Sequence, residues 1–178
     1  HRQDLHRAPA IAALAAAVRD HGAGDPGQAG VLDLYSCFPS AVQVAAGELG
    51  IDLRSDERPP TVTGGLTFAG GPANNYVTHS VASMVEKLRG AEAGTTGLAT
   101  AVGWYLTKHG MAVLGTEPPA QPFADLHPQD VVDAQPSREI AEDFSGRAAI
   151  ETATALYDRD GTPTLGIVAC LLDDGRRA

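Results

Sequence analysis

Cysteine is scarce in this chain of 178 residues: Cys37 and Cys170 are the only two, they lie in separate regions, and they form no Cys-x-x-Cys pair. Neither a zinc site nor a disulfide framework is suggested, and a reducing, cytoplasmic location is expected. Positive charge is also short. Thirteen Lys and Arg against 22 Asp and Glu leave a formal net charge of −9. That balance argues against nucleic acid and anionic membranes as partners, since both require a concentrated positive field. Long apolar runs are missing too. The longest, Ala8 to Val18, is interrupted by Pro9 and falls well short of the roughly 20 residues that cross a bilayer. The first residues show no charged start, apolar core and small-residue cleavage site, so neither a membrane span nor a secretory leader is read. Aromatics make up only 5% of the chain. The core must therefore rest on aliphatic residues, many of them alanine, whose small side chains let helices pack closely on a sheet.

What is there alternates between helix and strand periodicity. Ile11, Leu14 and Val18 recur at helical spacing, with Pro9 suited to a first turn and Gly22 to a stop. Val31–Tyr35 reads as a strand. Pro39 then opens a second helix with Val42, Ala45, Ala46 and Leu49 inward, and Gly50 closes it. The β-branched triplet Thr61-Val62-Thr63 predicts another strand, followed by a glycine-rich loop from Gly64 to Asn75. A third helix carries Val77, Val81, Met84, Val85 and Leu88 inward, and strands follow near Gly97–Gly103 and Met111–Gly115. This αβαβαββ order predicts an α/β fold in which a mixed sheet is covered by helices.

From Thr116 to Ser145 five prolines interrupt the pattern, at 118, 119, 122, 128 and 136, as in a linker that wraps over a surface. Beyond it, Ala148–Tyr157 and Thr164–Leu172 are β-rich runs joined by the turn Asp158-Arg159-Asp160-Gly161, a hairpin signal. The expected organisation is a main domain over 1–117 and a linker with a small β-rich domain over 118–178.

Two segments narrow this reading. One is Tyr35-Ser36-Cys37-Phe38 before Pro39, and the other is Gly64-Gly65 followed by Gly70-Gly71-Pro72. In order and spacing they resemble the C-terminal half of the thiolase superfamily, where a strand ends in Asn-Glu-Ala-Phe or His-Asp-Cys-Phe and a later loop carries Gly-His-Pro. The segment Gly97–His109 lies where thiolases place a second catalytic cysteine. The chain is most similar to the thiolase-like proteins of type 1 that carry an additional C-terminal domain, often labelled acetyl-CoA acetyltransferases. The resemblance implies the C-terminal half of a thiolase-type fold with a small β-rich appendage. It also implies an acyl-CoA thioester as substrate with no other cofactor, an N-terminal half in the same or another chain, and a homo-oligomer. No metal is implied.

The same resemblance marks what is replaced. Gly71 stands where the family has its basic histidine, Tyr35 where it has an oxyanion-site asparagine, and no residue of Thr100–Val102 replaces the second cysteine usefully. No segment matches the surroundings of the nucleophilic cysteine. Any surviving chemistry is then expected around Cys37, whose place before a helix would favour a thiolate, with His109 as base and Tyr35 as hydrogen-bond donor. Cys37 is equally readable as a small residue packed in a corner. Ser36, Phe38, Gly64, Gly65, Gly70, Gly71, Asn74, Asn75 and His79 are the expected substrate-side residues. For Asn74 and Asn75, helix capping is an equal alternative, and for His79 a structural role.

Overall fold

The computed structural model describes residues 2–178. They form two compact units: residues 6–135, and the residues up to Leu5 together with Pro136–Ala178.

The larger unit is built on a three-stranded sheet in the order β1 (Val31–Asp33), β2 (Thr96–Gly103), β3 (Lys108–Gly115). β1 runs parallel to β2 with Asp33 opposite Ala99, and β2 runs antiparallel to β3 with Ala101 opposite Gly110. Two helices, α1 (Pro9–Asp20) and α2 (Pro39–Leu49), begin on proline, as their fixed φ and missing N–H favour. α2 ends on Gly50 at φ +70°, a left-handed cap that glycine adopts without strain. Helix α4 (Tyr76–Arg89) follows a short α3 (Leu66–Ala69) and a 3-10 turn at Ala73–Asn75.

Strand alternation assigns the layers. Leu32, Leu34 and Leu98 pack with Ile11, Ala15, Ala45, Ala46 and Leu49 of α1 and α2, with Met111 and Val113 of β3 alongside. The neighbouring residues Val31, Asp33 and Gly97 face the other way, where Met84 and Leu88 of α4 lie against Gly97. Glu48 ties α1 to α2. Its nearly buried carboxylate accepts the backbone N–H of Ala8 at 2.9 Å and pairs with Arg7 Nε at 2.6 Å. It therefore serves as the N-terminal cap that α1 lacks in its own sequence.

Three expectations need correction. Thr61–Thr63 is not a strand, because its hydroxyls and amides bond to one another and to a carboxylate rather than to a neighbouring strand. β1 stops at Asp33 instead of continuing to Tyr35, whose N–H goes to the Thr100 hydroxyl. The inner face of α4 is centred on Tyr76, Ser80, Met84 and Leu88, and Val77, Val81 and Val85 flank it half-buried. The proline-rich stretch carries one short helix, α5 (Gln129–Asp133), and is held to the end of α1 by a hydrogen bond between His21 Nε2 and the Pro122 carbonyl.

In the smaller unit, β4 (Ala149–Tyr157) pairs antiparallel with β5 (Pro163–Leu171). The turn forms as the sequence indicates, with Asp158 N–H donating to the Thr162 carbonyl and Gly161 at φ +80°. Among the described residues no helix is long and apolar enough to cross a membrane.

Two glycines carry the packing of the larger unit. A Cβ on Gly27 would overlap the Leu49 carbonyl oxygen, and one on Gly97 would overlap the buried Met84 sulfur. Gly27→Ala and Gly97→Ala are each expected to lower stability by about 1–3 kcal/mol through overpacking. The urea midpoint measures this, and Gly27→Ala should be the more harmful because backbone yields less than a methionine side chain.

Candidate functional site

The site grows out of one residue. Asp33 is the last residue of β1 and is completely buried, and a charge in that position requires donors around it. Its Oδ2 accepts the Thr61 hydroxyl at 3.1 Å and the Val62 N–H at 3.0 Å, and its Oδ1 accepts the Tyr76 hydroxyl at 3.1 Å. Tyr76 also shares a 2.6 Å hydrogen bond with Thr63. Thr61 and Thr63 in turn both accept the N–H of Gly65, at 3.0 Å each.

A chain of hydrogen bonds thus runs from the sheet to the glycine loop and α4. Gly64, Gly65 and Gly70 sit at φ +82°, +81° and +81°, a region closed to most side chains. At Gly65 a Cβ would also meet Ser36 Oγ at 2.7 Å. Ser36 Oγ accepts the Leu66 N–H at 3.2 Å.

A cavity of about 320 Å³ opens beside this network, lined by Tyr35, Tyr76, Asn74 and Val77 on one side and by Ala101, Lys108 and His109 on another. Tyr35 stands edge-on to Tyr76, with ring centroids 5.3 Å apart at 89°. Burial pushes the Tyr35 phenol above its ordinary range, and the nearby Cys37 adds to this. Burial likewise raises Tyr76, with the Asp33 carboxylate acting in the same direction against the Thr63 hydrogen bond. Both phenols are therefore held neutral and able to donate.

The sequence-predicted residues divide clearly. Tyr35, Asn74 and His109 reach this one cavity. Cys37 is half-buried and does not belong to its lining, so the expected pairing of Cys37 with His109 is not assembled there. His109 lies opposite Val102, in the alternation that carries Leu98 and Met111 toward α1, and reaches the cavity at the end of β2 and β3, while Tyr35 enters it from beside Tyr76. His109 Nε2 is bonded to the Leu106 carbonyl at 2.9 Å, and the residue also lines a second cavity with Ala10, Leu14 and His127.

Ser36 anchors α3, and Phe38 is 68% exposed at the start of α2. Asn75 precedes α4 without a side-chain cap, and Asn74 is exposed. His79 points to solvent beside the buried Ser80 and lies outside the cavity lining. Gly71 carries no side chain, and its carbonyl accepts the Ala73 N–H at 2.7 Å.

Sequence reasoning missed Asp33, Thr61, Thr63 and Tyr76. A carboxylate inside the apolar run Val31–Tyr35 was the available signal, since such a residue must be bonded or charged for a purpose.

A mixed three-stranded sheet with helices on both faces and a glycine loop at one end makes an α/β fold similar to that of a thiolase-like protein. Residues 127–178 match the family described as thiolase-like protein type 1 additional C-terminal domain. The structure is similar to that of a monomeric SCP2-thiolase like protein type 1 from Mycobacterium smegmatis, with a TM-score of 0.80 and 37% identity over 96% of this chain and 37% of that one. This chain therefore spans little more than a third of that relative's length. No curated protein matches it. Residues 127–178 thus carry the additional domain of the thiolase-like proteins of type 1, and the chain as a whole is similar to one of those proteins.

Raised phenol pKa values have a measurable consequence. Tyrosines that ionise later in the folded state than in the unfolded state bind more protons when folded. Stability is then full below the unfolded tyrosine pKa, about 10, and falls as pH rises through the folded values. Urea midpoints taken from pH 8 to 11 should decline above pH 10, and Tyr35→Phe should flatten the decline. An unchanged slope in that variant would show that the Tyr35 environment is not the source.

Proposed function

We propose that this chain is the C-terminal part of a thiolase-like acyl-CoA-handling protein, and that it supplies one wall of a thioester site whose nucleophile belongs to an N-terminal half. The observation that supports this reading is the glycine loop, fixed on buried Asp33, beside a cavity that carries the neutral Tyr35 phenol and the Asn74 amide. A thioester carbonyl is a hydrogen-bond acceptor. Tyr35 is placed to donate to it, and Lys108 at the rim offers a positive charge to a phosphate-bearing ligand.

Acyl transfer needs a nucleophile, a base and oxyanion donors together. Gly71 leaves the family's basic position without a titratable group, so the isolated chain has donors without the rest. A second reading, in which the protein binds acyl-CoA or assembles with a partner without chemistry, is favoured by that same glycine. Association with the N-terminal half is supported by the large apolar side chains left in solvent near the site. Phe38, Phe68, Trp104 and Tyr105 are 68–85% exposed, and such residues mark surfaces awaiting a partner. The Mycobacterium smegmatis relative is described as monomeric, so this surface is best read as covered within one complete protein and not by a second copy.

Incubated alone with an acyl-CoA, the chain should release no free CoA, as followed by thiol reagent. Calorimetry should register acyl-CoA binding when the N-terminal half is supplied, weakened about tenfold in Tyr35→Phe, a loss typical of one buried hydrogen bond. Saturable CoA release by the chain alone would overturn the assignment of roles. Binding indifferent to Tyr35 would remove the cavity from the site.

A further inference from the structure

Besides the cavity at Tyr35, the unit of residues 6–135 holds a second one of about 370 Å³. It arises because α1 is apolar on more than its core stripe. Ile11, Ala15 and Val18 are buried, while Ala10 and Leu14, one turn apart, form an adjoining stripe that would otherwise meet water. The proline-rich stretch lies over that stripe. Its α5 packs on α1, and the bond between His21 and the Pro122 carbonyl holds the stretch to the end of the helix. Prolines deny the stretch the regular structure that would close it down on the helix, and a cleft stays open between them. Leu14, Met111, Leu126 and Val132 line its apolar part, and Lys108, His109 and His127 its polar part.

Charge decides what fits there. Among the described residues Asp125 is the one carboxylate of the lining, and its Oδ2 is taken by His127 Nε2 at 3.0 Å. Asp130 and Asp133 of α5 stay outside the lining, and Asp133 accepts the Gln129 amide at 2.7 Å. The His109 ring is fixed by its Nε2 bond to the Leu106 carbonyl. Lys108 is placed differently. Its stem lies across Gly103, where a Cβ would meet Lys108 Cβ at 3.2 Å and Cδ at 3.6 Å. Among the described residues it enters no ion pair. In a chain of formal net charge −9, an uncommitted cation at the rim of an apolar cleft fits a ligand that is anionic at one end and hydrocarbon at the other.

We propose that this cleft binds a carboxylic acid with an unbranched hydrocarbon tail, the tail against Leu14, Met111, Leu126 and Val132 and the carboxylate on the Lys108 ammonium. The site is separate from the thioester wall and does not depend on that reading, although Lys108 reaches the rim of both cavities. Charge distinguishes this ligand from an acyl group in thioester linkage, which carries none at that end.

The test is a titration of the chain with butyrate, hexanoate and octanoate near neutral pH, followed by backbone amide chemical shifts. Shifts should move at Leu14, Met111, Leu126 and Val132, and affinity should rise about fourfold for each methylene until the cleft is full. Hexylammonium and the methyl ester of hexanoate should bind more weakly than hexanoate, the ester by about three- to fivefold, as for an exposed ion pair. Lys108→Met, which keeps the stem over Gly103, should bring hexanoate down to the level of its ester. Ala10→Leu, which fills the cleft from α1, should weaken hexanoate at least about fourfold. Equal binding of acid, ester and ammonium would overturn the choice of a carboxylate, and affinity indifferent to tail length would remove the tail from the cleft. Shifts confined to Tyr35, Asn74 and Tyr76 would put the ligand in the first cavity and overturn the proposal, as would the lack of any saturable shift with all three acids.

Discussion

A single buried carboxylate holds the candidate site of this molecule in place. Burying Asp33 without partners would cost far more than a domain of this size can spare, and its carboxyl oxygens are met by the Tyr76 hydroxyl, the Thr61 hydroxyl and the Val62 N–H. Each such bond contributes about 0.5–1.5 kcal/mol. These three donors come from two places: the segment that leads from α2 into the glycine loop, and the first turn of α4. Asp33 therefore fixes where that loop and that helix stand relative to β1. Tyr35, two residues on, is then aimed by its edge contact with Tyr76 and its N–H bond to Thr100.

This arrangement explains why the loop is rich in glycine and why so few of its residues touch the cavity. Positive φ at Gly64, Gly65 and Gly70 folds the loop back on the threonines, so its backbone donors are consumed in holding it still. What remains available for a ligand is the Asn74 amide at the loop's end, with the Tyr35 phenol and the rim Lys108 beside it. On the proposed reading, this wall offers its donors to a thioester carbonyl. The base and nucleophile of a full acyl-transfer site are not among its parts.

Much of this was legible in the sequence. Helices α1, α2 and α4 follow from apolar spacing, with Pro9, Gly22, Pro39 and Gly50 as punctuation of the first two, and the terminal hairpin follows from its Asp-Gly turn. Tyr35 and the glycine loop were found by their pattern. Thr61–Thr63 was misread because β-branched residues favour strands, whereas here their hydroxyls serve a carboxylate 28 residues earlier in the chain. Cys37 and His109 were drawn together by adjacency to motifs, yet sheet alternation turns the histidine toward α1. Which face a side chain takes depends on register, and register depends on partners far away in the chain.

The smaller unit has one further implication, which concerns the order of events during synthesis. Residues 6–135 form a unit contiguous in sequence and can fold as they emerge. Arg2 and Gln3 cannot settle then, because the guanidinium groups that hold their carbonyls belong to Arg138 and Arg177. Residues 2 and 3 settle only once Arg138 and Arg177 are in place, and closing a loop that long is slow. During that interval the apolar side chains of β4 and β5 lie in solvent, and a slower closure lengthens the time in which they can meet a neighbouring chain.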